Sequence, residues 1–415
     1  MPDGSTANVL IDPAPAGAVP LAIAWRRPRG MWALSFANFL LRIATLGLYN
    51  FWGKTEVRAR LWSGVRLNGE PLVYTGTGRE LFLGFLVAMI YIAVPYGLLV
   101  ATRLSVDVKS PIAAMAGSVF SFVISGLWGI AIYRARRYRL TRTRWRGIRG
   151  DLTGSAMYYA VTYVWTLFVV GVSLGWAHPW HQTKLQRIMV ENTRFGDARL
   201  TFTADSGRLY GPFTLMWLVG LVAICVAIGV FTSLFGAPGT LPRAGTRAPL
   251  PPAMAGFVML MLGAICYALV WLSGTWYRAR SFNHYCTHTH LHGASFAGTA
   301  SAPGLLWLGL SNALLALLPI IVAASIGIVV AIAFGIPLSV PTTADLDSNW
   351  VRVAALLALL SLGVFAPILG ARSAGFWASH LQLAGGVPLG TLQQAAAGRS
   401  GSGEGLAQAF DIDVL

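Results

Sequence analysis

The chain has 415 residues, of which 55% are hydrophobic and only 11% charged, with a mean hydropathy of +0.62. A soluble globular protein carries roughly 25% charged residues, so this composition excludes a water-solvated globule and makes lipid the solvent for most of the surface. The 31 Lys+Arg against 15 Asp+Glu give a net charge of +16, but the basic residues flank apolar stretches, which points to anionic lipid head groups and away from nucleic acid.

In chain order, residues 1–30 are rich in Pro, Ala and Gly and end in Arg26, Arg27 and Arg29. No short apolar core with a cleavage site follows, so they read as a disordered arm. A membrane span needs about 20 mainly apolar residues. Eight segments qualify: 32–52, 81–102, 112–133, 157–177, 213–235, 254–276, 304–334 and 351–371. Six of these, the last counted after Arg352, hold no charged residue or histidine and are read as spans. Segment 304–334 is long enough to tilt, or to kink at Pro319.

Segments 32–52 and 157–177 differ. The first carries Ser35, Asn38, Arg42, Thr45 and Tyr49 at three- and four-residue steps along one helical face. The second carries Thr162, Tyr163, Thr166 and Ser173 with Gly171 and Gly175. Each ends in an aromatic, basic sequence, so both read as helices lying in the head-group region or dipping in and returning. After each basic aromatic helix comes a short alternating stretch around a Gly, the pattern of a β-hairpin. The five are Val65–Gly78, Arg142–Gly154, Thr193–Ala204, His288–Thr299 and Leu381–Thr391.

The chain also repeats itself. Thr141–Gly147 aligns without a gap on Thr287–Gly293, each after a Tyr-Arg-Ala-Arg. Leu46–Trp52 recurs as Leu174–Trp180, and Asn38-Phe39-Leu40-Leu41 has a counterpart in Asn312-Ala313-Leu314-Leu315. Eight plain spans would divide Lys and Arg almost evenly between the two sides of the membrane. Six spans, with 32–52 and 157–177 entering and leaving on one face, gather most of the positive charge and all five hairpins in the cytoplasm, as the positive-inside rule requires. The expected fold is an all-α polytopic membrane protein with six to eight membrane segments, internal repeats and short cytoplasmic β-hairpins. Its divisions are an arm (1–30), repeats over 31–156 and 157–303, a third, degenerate repeat over 304–391, and a tail (392–415).

Thr45-Leu46-Gly47-Leu48-Tyr49 with Trp52, then Gly69 and the run Tyr74-Thr75-Gly76-Thr77-Gly78-Arg79-Glu80-Leu81-Phe82, resembles the YjgN-like family of bacterial inner-membrane proteins. The ending Gly403-Glu404-Gly405-Leu406-Ala407-Gln408-Ala409-Phe410-Asp411 is similar to that family's C-terminus. The second copy departs from the pattern: His178 and Pro179 occupy the aromatic turn, and Thr201-Phe202-Thr203-Ala204 replaces the Tyr-Thr-Gly-Thr run. The resemblance implies an inner-membrane location and, since the family has no established biochemical function, little more.

The strongest basic cluster is Arg134, Arg136, Arg137, Arg139, Arg142, Arg144, Arg146 and Arg149, interleaved with Trp128, Tyr133, Tyr138 and Trp145. With Trp52, Lys54 and Arg58 it suits rings at head-group level and guanidinium groups on phosphates. Arg42 is the one basic residue inside an apolar segment, a functional signal if the segment spans and an ordinary interfacial residue if it does not. His284, Cys286, His288, His290 and His292 alternate at every second position. In a strand they would share one face as a candidate zinc or copper ligand set. Yet His288, His290 and His292 stand where the other copy has Arg142, Arg144 and Arg146, which bind no metal, so the shared property is donor-rich side chains near phosphate. The three cysteines give no disulfide framework.

No phosphate loop follows Gly76 and Gly78, no nucleophile has a plausible His and acid partner, and the confident spans lack the carboxylate or histidine relays that coupled transporters use. The reading is a non-enzymatic membrane protein without cofactor, contacting anionic head groups, a protein partner or a second copy of itself. Its alternative is a channel or uncoupled transporter for a small solute.

Overall fold

A computed structural model describes residues 19–107, 109–235, 252–333 and 349–387. The helix α1 (Met31–Ala44) turns back into α2 (Asn50–Gly64), and α3 (Gly78–Ser105) into α4 (Pro111–Arg142). The same pairing recurs in α5 (Ala156–Val172) with α6 (His178–Glu191), α7 (Gly207–Phe235) with α8 (Pro252–Thr287), and α9 (Ala302–Ala333) with α10 (Asn349–Ser379). Local chemistry starts several of them: Thr77 caps Glu80, Ser155 caps Tyr158, and Ser110 caps Ile112 just ahead of Pro111, which fits the first turn because it has no N–H to satisfy.

Among the described residues, four helices are long and apolar enough to cross a membrane: Gly78–Ser105, Pro111–Arg142, Gly207–Ser233 and Met254–Thr287. Their sides expose large apolar residues such as Ile90, Leu98, Phe122 and Tyr267, which is stable only where lipid replaces water. Where helices meet, small residues admit close approach. A β-carbon on Gly129 of α4 would lie 2.9 Å from the Ala160 backbone of α5, and Ala88, Ala131 and Ala135 form a tight seam between α3 and α4. The molecule is a helical membrane protein. By contrast α1, with 14 residues, and α5, with 17, reach only about 21 and 26 Å at 1.5 Å per residue, short of a hydrocarbon core of about 30 Å.

The second helix of each pair runs directly into strands. Hairpins follow α2 (β3 Val65–Leu67, β4 Glu70–Pro71, continued by β5 Val73–Tyr74), α4 (β6 Thr143–Trp145, β7 Ile148–Leu152), α6 (β8 Thr193–Phe195, β9 Ala198–Phe202) and α8 (β10 Thr289–Leu291, β11 Ala294–Gly298). Three tips, Asn68-Gly69, Arg146-Gly147 and His292-Gly293, have positive φ at both central residues, the mark of a type I′ turn; in the hairpin after α6 only Gly196 does, at the first central position, as in type II′. After α10 come β12 (Leu381–Ala384) and β13 (Gly386–Val387); β13 pairs with the N-terminal β1 (Val19–Pro20), which leads on to β2 (Ile23–Trp25), the partner of β3.

The pairings form a ring. Strand order runs β12-β11-β10-β9-β8-β7-β6-β5, β4 leads to β3 and β2, and β1 pairs with β13. Only Gly385, Leu72 and Leu21-Ala22 interrupt the strands where one stretch passes into the next. One hydrogen bond recurs at all five seams: the residue after a hairpin's exit strand donates its N–H to the carbonyl at the end of the next pair's second helix. These bonds are Arg26→Gly64, Thr75→Arg142, Thr153→Asn192, Thr203→His288 and Thr299→His380, between 2.8 and 3.0 Å. The four threonines add their hydroxyls to the same carbonyls.

Cross-strand partners share a face, and the two faces differ sharply. Leu21, Leu67, Leu72, Trp145, Phe195, Ala198, Leu291, Ala294, Leu383 and Val387 come from every part of the ring and meet in one apolar cluster. Residues so far apart along a ring can touch only across its inside, so the strands enclose a filled core.

Two expectations are corrected here. Residues 19–30 are no free arm, because Val19–Trp25 closes the ring; residues 1–18 lie outside the described residues. The exit strand opposite β12 and β13 is the N-terminal strand and not the downstream half of Leu381–Thr391. Residues 388–391 and the tail 392–415 are also outside the described residues.

Candidate functional site

The turns that join α1 to α2 and α5 to α6 match bond for bond. Leu46 and Leu174 both have φ 50°, and Gly47 and Gly175 have φ 90° and 89°. Gly47 N donates to Arg42 O at 2.7 Å and Gly175 N to Val170 O at 2.8 Å. The hydroxyl oxygens of Thr45 and Ser173 accept from Tyr49 N and Ala177 N at 2.9 and 3.0 Å. Each turn presents an apolar tip: Leu46 is 96% exposed and Leu174 79%. The first lysine or arginine beyond each tip stands eight residues on at Lys54 in α2 and ten residues on at Lys184 in α6, whose Nζ lies 5.0 Å from the Trp180 ring centroid.

Behind the tips the two helices of each pair are tied by a polar contact at matching positions. Asn38 Nδ2 donates to Gly53 O at 3.4 Å, and Thr166 Oγ1 meets His181 Nδ1 at 2.7 Å. Burial, with the neighbouring His178 adding to it, holds His181 down at about 4. The ring is therefore neutral at physiological pH and can accept the threonine proton.

The outer face of the strand ring is basic. The middle residue of each entry strand falls at one register: Arg66, Arg144, Arg194, His290 and Gln382. Arg149 lies across from Arg144, and Arg199 from Arg194. In Arg66, Arg144 and Arg194 alike, Nε is enclosed without a hydrogen-bond partner among the described residues. Arg66 and Arg144 stand two positions and Arg194 three positions past the helix ends, about 7–10 Å away at strand rise, at the rim of the ring nearest the helices. Burial lowers the His290 imidazole below its ordinary value, with His288 adding to it, so at neutral pH the arginines carry the wall's positive charge.

The residues expected at the head groups divide. Arg134 and Trp52 are exposed. Arg136, Arg139 and Lys54 are half-buried. Arg137 donates to the carbonyls of Leu152 and Gly154, fastening its own hairpin to α4. Arg142 grips Glu80 through Nε at 3.1 Å and Nη2 at 2.7 Å, with the Tyr138 hydroxyl on the same carboxylate at 2.7 Å. Arg146, at a hairpin tip, pairs with Glu70 through two 2.9 Å bonds, and that hydrogen bond holds the Glu70 carboxyl below its usual range.

Two placements are corrected. Trp145 is 2% exposed in the ring's core, because strand alternation turns it inward while Arg144 turns outward. Arg58 is buried in α2, 7% exposed, and not on an open face. Arg42 lies in α1 against α10, where a β-carbon on Gly363 would sit 3.6 Å from Nη1.

The histidine series does not share a face. Helix α8 extends through Thr287, so His284 and Cys286 project from a helix, His290 from a strand, and His292 from a turn at φ 44°. His284 Nε2 meets Asp205 O at 2.7 Å, and His288 Nδ1 meets His284 O at 2.7 Å. Among the described residues, no three His, Cys, Asp or Glu groups are arranged to hold a metal ion.

Sequence reasoning missed the seam threonines, although the clue was there: Thr75, Thr153, Thr203 and Thr299 each close an alternating stretch just before Gly or Ala. It also missed Glu80 as the anchor of Arg142, and it passed over Arg372. That residue is held on α10 by Asn312 Oδ1 at 2.8 Å and by the Ser311 hydroxyl.

No solved structure matches the chain. A 62-residue stretch is 37% identical to a protein of Salmonella typhimurium named "Inner membrane protein YjgN", covering 15% of this chain and 16% of that relative. The family model described as "Bacterial protein of unknown function (DUF898)" matches residues 29–409. With nearly its whole length inside that match, the chain belongs to this YjgN-like family of membrane proteins, whose function is unknown.

Proposed function

We propose that this is a non-enzymatic protein of the bacterial inner membrane that binds anionic lipid at the cytoplasmic leaflet. Six helices cross the bilayer, the hairpins α1–α2 and α5–α6 dip into one leaflet as wedges, and the five helix–helix–hairpin units are copies of one ancestral unit. The carrying observation is the ring of Arg66, Arg144 and Arg194 at one register of the wall, near the helix ends. Arginine offers a fork of donors that matches phosphate geometry, and juxtamembrane arginines attract anionic leaflets by about 1 kcal/mol each.

The wedge geometry agrees with this placement. Lys54, four residues past the start of α2 at Asn50, is about 6 Å along the helix from the turn that carries the tip. That distance sinks the tip into one leaflet and leaves the ammonium within snorkelling reach of the head groups. Contact is favoured over passage because Trp145, Leu291, Ala294 and Val387 fill the ring's interior with apolar side chains.

The test uses spin-labelled lipids on the reconstituted protein. Phosphatidylglycerol should be motionally restricted in preference to phosphatidylcholine, and the triple variant Arg66→Gln/Arg144→Gln/Arg194→Gln should lose most of that preference. Equal restriction of the two lipids by the unaltered protein would overturn the proposal.

A further inference from the structure

A cavity of about 380 Å³ lies where α9 and α10 meet α1 and the segment that precedes it. Its lining includes Arg27 and Arg372 together with Trp25, Trp32, Trp307 and Phe376. Trp307 stands five residues after the start of α9 and Arg372 seven before the end of α10. The chamber is thus one to two helical turns inside the ends nearest the strand ring, about 8–11 Å. Arg372 spends two of its five N–H donors on the neutral Asn312 and Ser311, and neither it nor Arg27 meets a carboxylate among the described residues. The aromatic wall is held in place from behind: a β-carbon on Gly375 would lie 2.6 Å from Trp25 Nε1, and one on Gly64 2.9 Å from the other edge of that indole.

We infer that this cavity holds one anionic phospholipid, its phosphate between Arg27 and Arg372 and the first carbons of its chains against Trp32, Trp307 and Phe376. Two guanidinium groups lining one chamber, with no carboxylate on either among the described residues, favour an anion between them, and the aromatic wall favours an apolar body. A single phospholipid supplies both. The site is separate from the arginine wall, sharing none of its residues, so it goes beyond the proposed function and can fail independently of it.

The experiment measures lipid retained by the full-length protein. Delipidated protein is mixed with dioleoyl phosphatidylglycerol or dioleoyl phosphatidylcholine in detergent, passed over a sizing column and weighed intact by native mass spectrometry. One phosphatidylglycerol per chain should remain, with phosphatidylcholine at least tenfold weaker. Arg27→Gln/Arg372→Gln should weaken retention at least tenfold, since charge-assisted hydrogen bonds are worth about 1.5–3 kcal/mol each. The wall variant Arg66→Gln/Arg144→Gln/Arg194→Gln should retain the lipid as the unaltered protein does. If the double variant misfolds, Arg27→Gln alone serves, because Arg27 is exposed at the mouth; it should cost about threefold. Undiminished retention in the folded Arg27 and Arg372 variants overturns the inference, as does equal retention of phosphatidylcholine. Complete displacement by 10 mM inorganic phosphate (about a hundredfold excess over protein) also overturns it, by assigning the site to free phosphate.

Discussion

Replacing Trp145 tests the filled ring most directly. A buried tryptophan removes about 150–250 Å² from water, worth about 5 kcal/mol at 25 cal/mol per Å². Large-to-small core substitutions at such sites cost about 3–5 kcal/mol. The indole Nε1, however, is enclosed without a hydrogen-bond partner among the described residues, an arrangement that already costs about 1–3 kcal/mol. Removing the ring also removes that penalty. Trp145→Ala is therefore expected to destabilise by about 2–4 kcal/mol, whereas Trp145→Phe, which keeps most of the apolar contact with Phe195 and Leu291 and deletes the unsatisfied donor, should fall within about 1 kcal/mol of the unaltered protein. The assay is thermal unfolding of detergent-solubilised protein, followed by far-ultraviolet circular dichroism and by the fraction eluting as a single species after heating. If the alanine variant melts within about 0.5 kcal/mol of the unaltered protein, as an exposed surface change does, Trp145 is not in the core and the ring is not filled.

The matching turns predict matching costs: Gly47→Ala and Gly175→Ala each force a side chain to φ near 90° and should lose about 1–2 kcal/mol, equal within error on thermal unfolding. Among the seam threonines, Thr75→Val and Thr153→Val, whose hydroxyl bonds are 3.1 and 3.2 Å, should cost about 1 kcal/mol each. Thr203→Val and Thr299→Val, at 3.5 and 3.4 Å, should cost less on the same measurement. His181 binds its proton at about 4 when folded and near 6.5 when unfolded. The unfolded chain thus takes up more protons between those values, and stability falls as pH drops from about 6.5 to about 4. That part of the stability–pH slope should be absent in His181→Asn, and an unchanged slope would show that the ring is not neutral in the fold. Single cysteines at 46 and 174, in a chain lacking Cys225, Cys266 and Cys286, should carry an environment-sensitive dye into an apolar setting in membranes. A cysteine at 146 should report water, and a watery signal at 46 would rule out the wedge.

The helices were legible because lipid leaves a coarse trace: runs of apolar residues free of charge mark the bodies of α3, α4, α7 and α8, while α4 and α8 run on nine and eleven residues beyond them, to Arg142 and Thr287. The short helix pairs α1–α2 and α5–α6 were legible through Leu46-Gly47 and its recurrence at Leu174-Gly175, since a left-handed turn restricts which residues can occupy it. The histidine series misled because alternation has meaning only in a strand. Helical propagation carries α8 through Thr287, so half the series lies in a helix with a different period. Trp145 misled for a related reason, since tryptophan suits both a head-group belt and a closed core, and only the handedness of the ring decides which face turns inward. The role of Val19–Trp25 was hidden because its partner lies more than 350 residues away at Gly386–Val387, beyond the reach of any local pattern.

That distant partnership gives the ring a clasp. The first described strand supplies the partner for the last, so without the fifth unit the ring would show open edges, which invite foreign strands. Assembly must then hold Val19–Trp25 in waiting beside the entry strand of the first unit through the insertion of every later helix. A polypeptide fused close ahead of Val19 would sit at the joint where the circle shuts, and crowding there would be felt by all five units at once.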